Sequence, residues 1–441
     1  MSAESTTKIL RTRGSVNMIF GLYIWNMVFL LVLLAFGVAT LLYMLVGLAN
    51  KYIFAEPEAP EEHRYAAVIS ARNEEGVIGG LIKSLRTQRY PADKLDIYVV
   101  ADNCTDRTAE VAERAGATVY VRRNAREVGK GYALDFLFQK LLTLHAGRHY
   151  AGYFIFDADN VVDENFTAEM NKTFCRGGYD AITCYRSSKN FGDNWISAGY
   201  SIWFLRQSRF LNFPRSLLGL NCAVGGTGFF VSDRLIRENG GWPFHLLTED
   251  IEFSADCAVR DRAIGYCDRA VVFDEQPTAF RQSWDQRLRW SRGFYQVDAK
   301  YAPALLRESL RGGVHGISCC DMLFNLIPGL LGAAAVFLLG GLLAMHCLLH
   351  PAAGLTASLL LDIAKYVAAG YYALMFLCGL TTVLTEWRRI PASRWKKVCY
   401  LPLFPVFMLT YLPIAVTALF RKPEWKPIHH TPTAEPESEG L

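Results

Sequence analysis

No Cys-x-x-Cys pair and no zinc-finger spacing occurs among the eleven cysteines of this 441-residue chain. Cys104, Cys175, Cys184, Cys222, Cys257 and Cys267 are instead scattered through its middle. That pattern fits reduced thiols in a cytosolic domain and argues against a disulfide framework or a zinc site. Charge of one sign is also scarce. With 46 Lys+Arg against 42 Asp+Glu the formal net charge is +4, a balance that does not suggest nucleic acid as a partner. There is no internal repeat. The phosphate-loop spacing GxxxxGK[ST] is missing too, although Gly129-Lys130-Gly131 carries part of it.

What the chain has in quantity is apolar sequence, 51% of it and clustered. Its length holds one large domain of about 200–250 residues plus membrane segments. Met18 to Leu48 contains no charged residue and is long enough to cross a bilayer. A cleaved signal peptide has a far shorter apolar region, so this stretch is expected to be a retained anchor. Met322–Leu349, about Ile363–Leu384, and Val398–Phe420 are three further expected spans. Pro402, Pro405 and Pro413 mark the last as kinked or re-entrant. The basic loop from Arg388-Arg389 to Lys396-Lys397 belongs in the cytoplasm, which also places residues 50–317 there. The expected organisation is therefore a tail at 1–17, a span at 18–49, a cytosolic domain at 55–282, interfacial helices at 283–317, about three spans at 318–420, and a tail at 421–441.

The cytosolic stretch alternates strands and helices. Tyr65–Ser70 is a buried strand; Val77, Ile78, Leu81, Ile82 and Leu85 recur at helical spacing. Leu95–Val100 is a second strand, about Thr105–Ala115 a helix closed by Gly116, and Thr118–Val121 a third strand. This pace implies parallel βαβ units in an α/β sheet covered on both faces. Ligands of such sheets bind beyond the carboxyl ends of the strands.

The short acidic motifs stand at those ends. Asn73, Glu75 and Asp102 offer an amide and carboxylates, suited to the N3–H of uracil and to ribose; helix capping would employ the same residue types. Lys130 is carried into the crevice on a flexible glycine turn. Tyr153–Phe156 runs directly into Asp157-Ala158-Asp159, whose carboxylates share one side of an extended segment. A hard divalent ion between them and a diphosphate would relieve their repulsion. After the glycine-rich turn containing Gly226 and Thr227 comes Thr248-Glu249-Asp250, with Asp250 as candidate general base and Thr248 as candidate helix cap. Finally Gln286, Arg289, Trp290 and Gly293 share one helix face. A guanidinium fork suits a diphosphate and an indole suits a sugar ring. Arg287 points off that face and is expected to tolerate Lys. The other reading of this helix is a basic amphipathic element on a membrane.

In this order the residues resemble the membrane-embedded family 2 glycosyltransferases, which include cellulose, chitin, hyaluronan and poly-N-acetylglucosamine synthases. The resemblance rests on Asn73-Glu74-Glu75, Asp102, Lys130, Asp157/Asp159, Thr248-Glu249-Asp250 and Gln286…Arg289-Trp290, and covers roughly residues 15–420. It implies a glycosyltransferase A-type α/β domain, with a mostly parallel sheet, inserted between transmembrane helices. It further implies inverting transfer of a hexose, glucose or N-acetylglucosamine, from a UDP-sugar to a growing β-linked polysaccharide. Mg²⁺ or Mn²⁺ would be held by Asp159 and Asp157. Asp250 would be the base; Asn73, Glu75, Asp102, Lys130, Asp157, Gln286 and Arg289 would bind the donor; Trp290, Gly226, Thr227 and Glu249 the acceptor. The implied setting is a multi-pass cell-membrane enzyme with a cytoplasmic catalytic domain, lipid around it, and a homo-oligomer or an export partner beside it. Two departures stand out. Ala101 takes the place of a second aspartate before Asp102, and the Gly225–Gly228 turn lacks the Phe-Cys-Gly of bacterial cellulose synthases. The alternative within enzymes is non-processive transfer to a membrane lipid. A transporter is disfavoured because the charged constellation lies outside the spans.

Overall fold

The computed structural model describes residues 58–326 and 357–421, residues 37–50, and isolated positions within 21–35 and 340–345. The expected tail at 1–17, about a third of the first span, about two thirds of Met322–Leu349, and the tail beyond 421 lie outside the described residues.

Eight strands form one sheet: β1 Tyr65–Ala71, β2 Leu95–Asp102, β3 Thr118–Arg122, β4 Gly152–Asp157, β5 Val161–Val162, β6 Ala181–Ser188, β7 Phe229–Ser232 and β8 Ile264–Asp274, in the order β3-β2-β1-β4-β7-β6-β8-β5. The half β3-β2-β1-β4 is parallel, as the alternation of strands and helices requires. Beyond it the sheet is mixed. β7 runs antiparallel to both β4 and β6, and β5 antiparallel to β8, while β6 and β8 are parallel. This reversal has a functional consequence. Phe229, the first residue of β7, pairs with Ile155 near the carboxyl end of β4. The glycine turn that precedes β7 therefore arrives at the same edge as Asp157. A parallel β7 would have placed it at the far end of the sheet.

Both faces of the sheet are buried, in register with the strand period of two. Ala66 and Val68 join Leu134, Leu137, Phe138 and Leu141 of the Lys130–Leu144 helix, with Trp242 and Phe253 beyond. Tyr65, Ala67 and Ile69 join Ile78, Leu81, Ile82 and Leu85 of the Ile78–Arg86 helix. The helix after β2 begins only at Thr108, later than its apolar spacing suggests. Asp106 accepts from the Thr108 amide at 3.0 Å, and so holds the chain in a turn up to that point.

After the sheet, Phe280–Ser309 forms a single 30-residue helix, followed by Gly313–Leu326 and Ala357–Thr385. The proline-bearing segment breaks into Arg394–Tyr400, Leu401–Leu403, Phe404–Leu409 and Tyr411–Phe420. Among the described residues, Lys365–Thr385 and Arg394–Phe420 are long and apolar enough to cross a membrane, and Gly37–Ala49 is a shorter apolar helix. A third core cluster, including Tyr185, Tyr200, Phe204, Phe404, Phe407 and Tyr411, joins the sheet domain to these helices.

Candidate active site

The registers of β1, β2 and β4 bring Ala71, Asp102 and Asp157 to one edge of the sheet. Below that edge opens a cavity of about 1240 Å³. Asp102, Lys130, Asp157, Asp159, Gly226, Glu249, Asp250, Gln286, Arg289 and Trp290 all line it. The same space continues between the helices, past Trp203, Met408 and Tyr411.

Lys130 is the hub. Gly129, at φ +146°, ends the loop, and Lys130 opens a helix, so this segment is a helix start rather than a flexible turn. The Lys130 ammonium donates to Asp157 Oδ1 at 2.6 Å and to the Gly226 carbonyl at 2.6 Å, and lies 3.4 Å from Glu249 Oε1. Burial works against its charge, but Asp157 and Glu249 outweigh burial and the net shift of its pKa is upward. Gly131 makes this convergence possible. A Cβ there would fall 2.1 Å from the Phe244 carbonyl oxygen, so the loop leading to Thr248 rests directly on the start of the helix.

Glu249 and Asp250 occupy the first turn of the Glu249–Val259 helix. Burial pushes Glu249 up to about 7; Lys130 opposes this, and Asp250 and Asp157 add to it. Asp250 is raised as well, chiefly by burial, against the pull of Lys130. Thr248 stands at the N-cap position but makes no side-chain capping bond, contrary to expectation. Its methyl group packs instead against the backbone of Gly293, where a Cβ would come within 2.5 Å. The missing Cβ thus lets the Phe280–Ser309 helix close on Thr248, and this closure brings Arg289 and Trp290 to the cavity.

That helix carries one side chain whose role the sequence pattern misassigns. Arg287 is fully buried. It donates to the Ser283 carbonyl at 3.2 Å, to Thr410 Oγ1 at 2.7 Å and to the Phe407 carbonyl at 3.4 Å. Its guanidinium carbon sits 4.6 Å from the Phe407 ring and 4.8 Å from that of Tyr411. Arg287 is therefore a structural bolt, not a tolerant surface charge. Tyr295 adds a hydrogen bond to the Ala415 carbonyl at 2.8 Å. Arg289, by contrast, has a buried Nε without a hydrogen-bond partner among the described residues. Burial lowers its pKa, and Glu249, Asp157 and Asp250 counteract that. Trp290 meets Tyr200 and Phe204 edge-on, at 5.8 and 6.1 Å between centroids.

Three expected site residues lie outside the cavity lining. Asn73, held at φ +58°, accepts from the Thr105 amide at 2.8 Å, and Glu75 accepts from the Arg107 amide at 2.9 Å. Both brace the loop that follows Asp102. Thr227 is buried and accepts from the Asp157 amide at 3.0 Å, which fixes the carboxylate pair from behind. Asp102 lines the cavity but is already paired with Arg122 at 2.7 Å, and Asn103 shares the same Oδ1.

Two residues at the site escaped the sequence reading. Asn160 donates to Asp274 Oδ1 at 3.1 Å and to Asp159 Oδ1 at 3.3 Å, and pins the turn of the carboxylate pair. Arg186 donates to Asp274 and to the Gly225 carbonyl, stacks 3.7 Å from the Phe204 ring, and balances the charge of Asp157 and Asp159. An arginine inside an otherwise uncharged buried strand was the available signal; an Asn after two aspartates reads as any turn.

Metal fit is a matter of donor count. Among the described residues no three His, Cys, Asp or Glu side chains converge on one point. Asp157 and Asp159 supply two carboxylates, one of them already held by Lys130. An ion of the Mg²⁺ type is commonly bound by one or two carboxylates, with phosphate oxygens and water completing its shell. The donor set fits an ion that comes with a diphosphate better than a permanently resident one.

The chain belongs to the family described as glycosyltransferase like family 2, whose sequence model matches residues 63–293. Among curated proteins it is similar to a beta-monoglucosyldiacylglycerol synthase of Nostoc sp., 28% identical over 254 residues, which is 55% of this chain and 51% of that protein. It is also similar to a poly-beta-1,6-N-acetyl-D-glucosamine synthase of Staphylococcus epidermidis, 22% identical over 252 residues, 56% of this chain and 58% of that one. These matches span about half the length of the curated relatives. Among solved structures it resembles the mannosyltransferase PcManGT from Pyrobaculum calidifontis in complex with GDP-Man and Mn²⁺, at a TM-score of 0.57 and 16% identity, covering 90% of this chain and 99% of that one. That likeness establishes the GT-A-like fold with its mixed sheet.

Proposed function

We propose that this protein transfers a hexose, with inversion, from a UDP-sugar to a hydroxyl of a lipid that enters its cavity from the membrane. The observation that carries the reading is the continuity of the cavity. One space runs from Lys130, Asp157 and Asp250 to Met408 and Tyr411 between apolar helices. A donor with a charged diphosphate fits the first end and an acyl or prenyl chain fits the second. The resemblance to the glucosyldiacylglycerol synthase points the same way.

In this reading Asp102 accepts from the uracil N3–H, and Arg289 presents its guanidinium to the diphosphate. Asp250 removes the proton of the acceptor hydroxyl. The acceptor oxygen then bonds to C1 of the sugar from the face opposite the diphosphate, the C1–oxygen bond to phosphate breaks, and UDP departs with the electron pair. Lys130 and Arg289 lie where that charge develops. A divalent ion held by Asp157 and Asp159 would, when bound, neutralise the leaving diphosphate. Exposed Leu374, Leu377, Leu384, Val406 and Phe420 support a membrane setting for the helical part.

The second reading, elongation of a β-linked glycan, is favoured by the aromatic lining. Trp203, Trp290, Tyr371 and Tyr372 border the cavity and can stack on sugar rings. The test incubates the purified full chain in lipid vesicles with a panel of UDP-sugars and separates solvent-extractable glycolipid from high-mass polymer. A one- or two-sugar lipid is the expected product; a polymer without glycolipid would move the assignment to elongation.

A further inference from the structure

The apolar limb of the cavity holds a buried arginine that the transfer step does not employ and that has no carboxylate of its own among the described residues. Arg206, at the end of the Trp195–Gln207 helix, lines the cavity and is only 8% exposed. Its guanidinium carbon lies 5.4 Å from the Trp203 ring. The other buried arginines nearby each have a carboxylate: Arg186 has Asp274, Arg209 has Glu386 at 3.5 Å, and Arg215 has Asp321 at 2.7 Å. Among the described residues no acidic side chain pairs with Arg206. Burial depresses its pKa, the Cys378 thiol opposes this, and the like charge of Arg215 deepens it. Asp321, the carboxylate in that neighbourhood, is already shared between Arg215 and the Tyr43 hydroxyl, the latter at 2.6 Å.

A buried cation without a counter-charge is unfavourable unless a ligand supplies one. We infer that Arg206 receives a phosphate or phosphodiester of the acceptor lipid, so that the enzyme glycosylates an anionic lipid in preference to a neutral one. The inference rests on the lipid-acceptor reading above. A guanidinium matches two phosphate oxygens through paired donors, and an aromatic face behind it restricts its orientation. Tyr371, Met375, Met408 and Tyr411 border the same limb and offer apolar surface to the chains of such a lipid. Arg206 is thus a specificity residue for the headgroup.

The test uses the full-length protein in neutral phosphatidylcholine vesicles doped with either dioleoyl phosphatidylglycerol or dioleoylglycerol. Sugar transfer from the UDP-sugar and thermal stabilisation are both measured. Phosphatidylglycerol, which carries both a phosphodiester and free hydroxyls, is expected to raise the melting temperature and to be glycosylated, or to compete with the native acceptor, at least tenfold better than the neutral lipid. Arg206→Gln should erase that preference and Arg206→Lys should restore part of it, with UDP affinity unchanged in both. Stabilisation of the unmutated protein by the anionic lipid keeps the test informative even if Arg206→Gln fails to fold. Equal use of both lipids, or a preference that survives in Arg206→Gln, would overturn the inference while leaving the lipid reading intact. Equal stabilisation by inorganic phosphate alone would also overturn it, by showing a free-anion site. Polymer formation with neither lipid consumed would instead overturn the reading on which it rests.

Discussion

Arg287→Lys separates the two faces of the Phe280–Ser309 helix. Arginine at this position makes three hydrogen bonds from a fully buried site, one within its own helix to Ser283 and two across to Phe407 and Thr410. A lysine ammonium is a single point and cannot span Ser283, Phe407 and Thr410 at once, so about two of the three bonds are lost. Hydrogen bonds to a charged group contribute about 1.5–3 kcal/mol each, which sets a lower estimate of ~3 kcal/mol. The contacts to Phe407 and Tyr411 survive in part because an ammonium also binds a ring face. At roughly 2 °C per kcal/mol for a unit of this size, Tm should fall by about 6 °C. The assay is thermal unfolding of the detergent-solubilised protein, followed by size-exclusion recovery after heating. Arg289→Lys is the paired control: it lines the cavity and should leave Tm within a degree or so while reducing turnover. An Arg287→Lys protein that melts with the unmutated one would refute the bolt, and with it the docking of this helix on Phe404–Phe420.

Three further outcomes are expected. Asp250→Asn should lower kcat by about 100-fold or more with UDP affinity little changed, measured by steady-state kinetics and UDP titration, because a base acts on the chemical step. Excess chelator should abolish activity and Mg²⁺ or Mn²⁺ restore it, and Asp159→Asn should match the chelated enzyme while unfolding at the same temperature; full turnover in chelator would remove the metal role. The pH profile should fall on its acid side near 7, because protonating Glu249 removes negative charge beside Asp250 and makes it a weaker base. Glu249→Gln should then flatten that step and move the remaining decline to lower pH, where Asp250 itself takes up its proton; an unchanged profile would exclude the coupling.

Much of this was legible in the residues. The apolar alternation of Tyr65–Ala71 and the helical spacing from Ile78 to Leu85 depend only on local periodicity, so strand, helix and the parallel half of the sheet could be read directly. The carboxylates at strand ends and the Gln286-Arg289-Trp290 face could be read for the same reason, since each is a short segment whose geometry is local. The direction of β7 could not. A strand of only four residues, Phe229–Ser232, carries no record of which way it runs, and its reversal decides whether the glycine turn meets Asp157.

Side-chain roles divided along the same line. Asn73 and Glu75 are of the type that binds nucleotides, yet the loop after Asp102 takes their hydrogen-bonding groups. Arg287 and Arg289 are two identical side chains two residues apart, one bolted under Phe407 and the other open to the cavity. The sequence by itself determined the family, the strand-end acids and the apolar helices, because composition and short-range spacing suffice for them. Only the tertiary structure decided which charges are satisfied by neighbours and which await a ligand. Such neighbours are brought in from more than a hundred residues away, as Thr410 is to Arg287, and no local pattern encodes them.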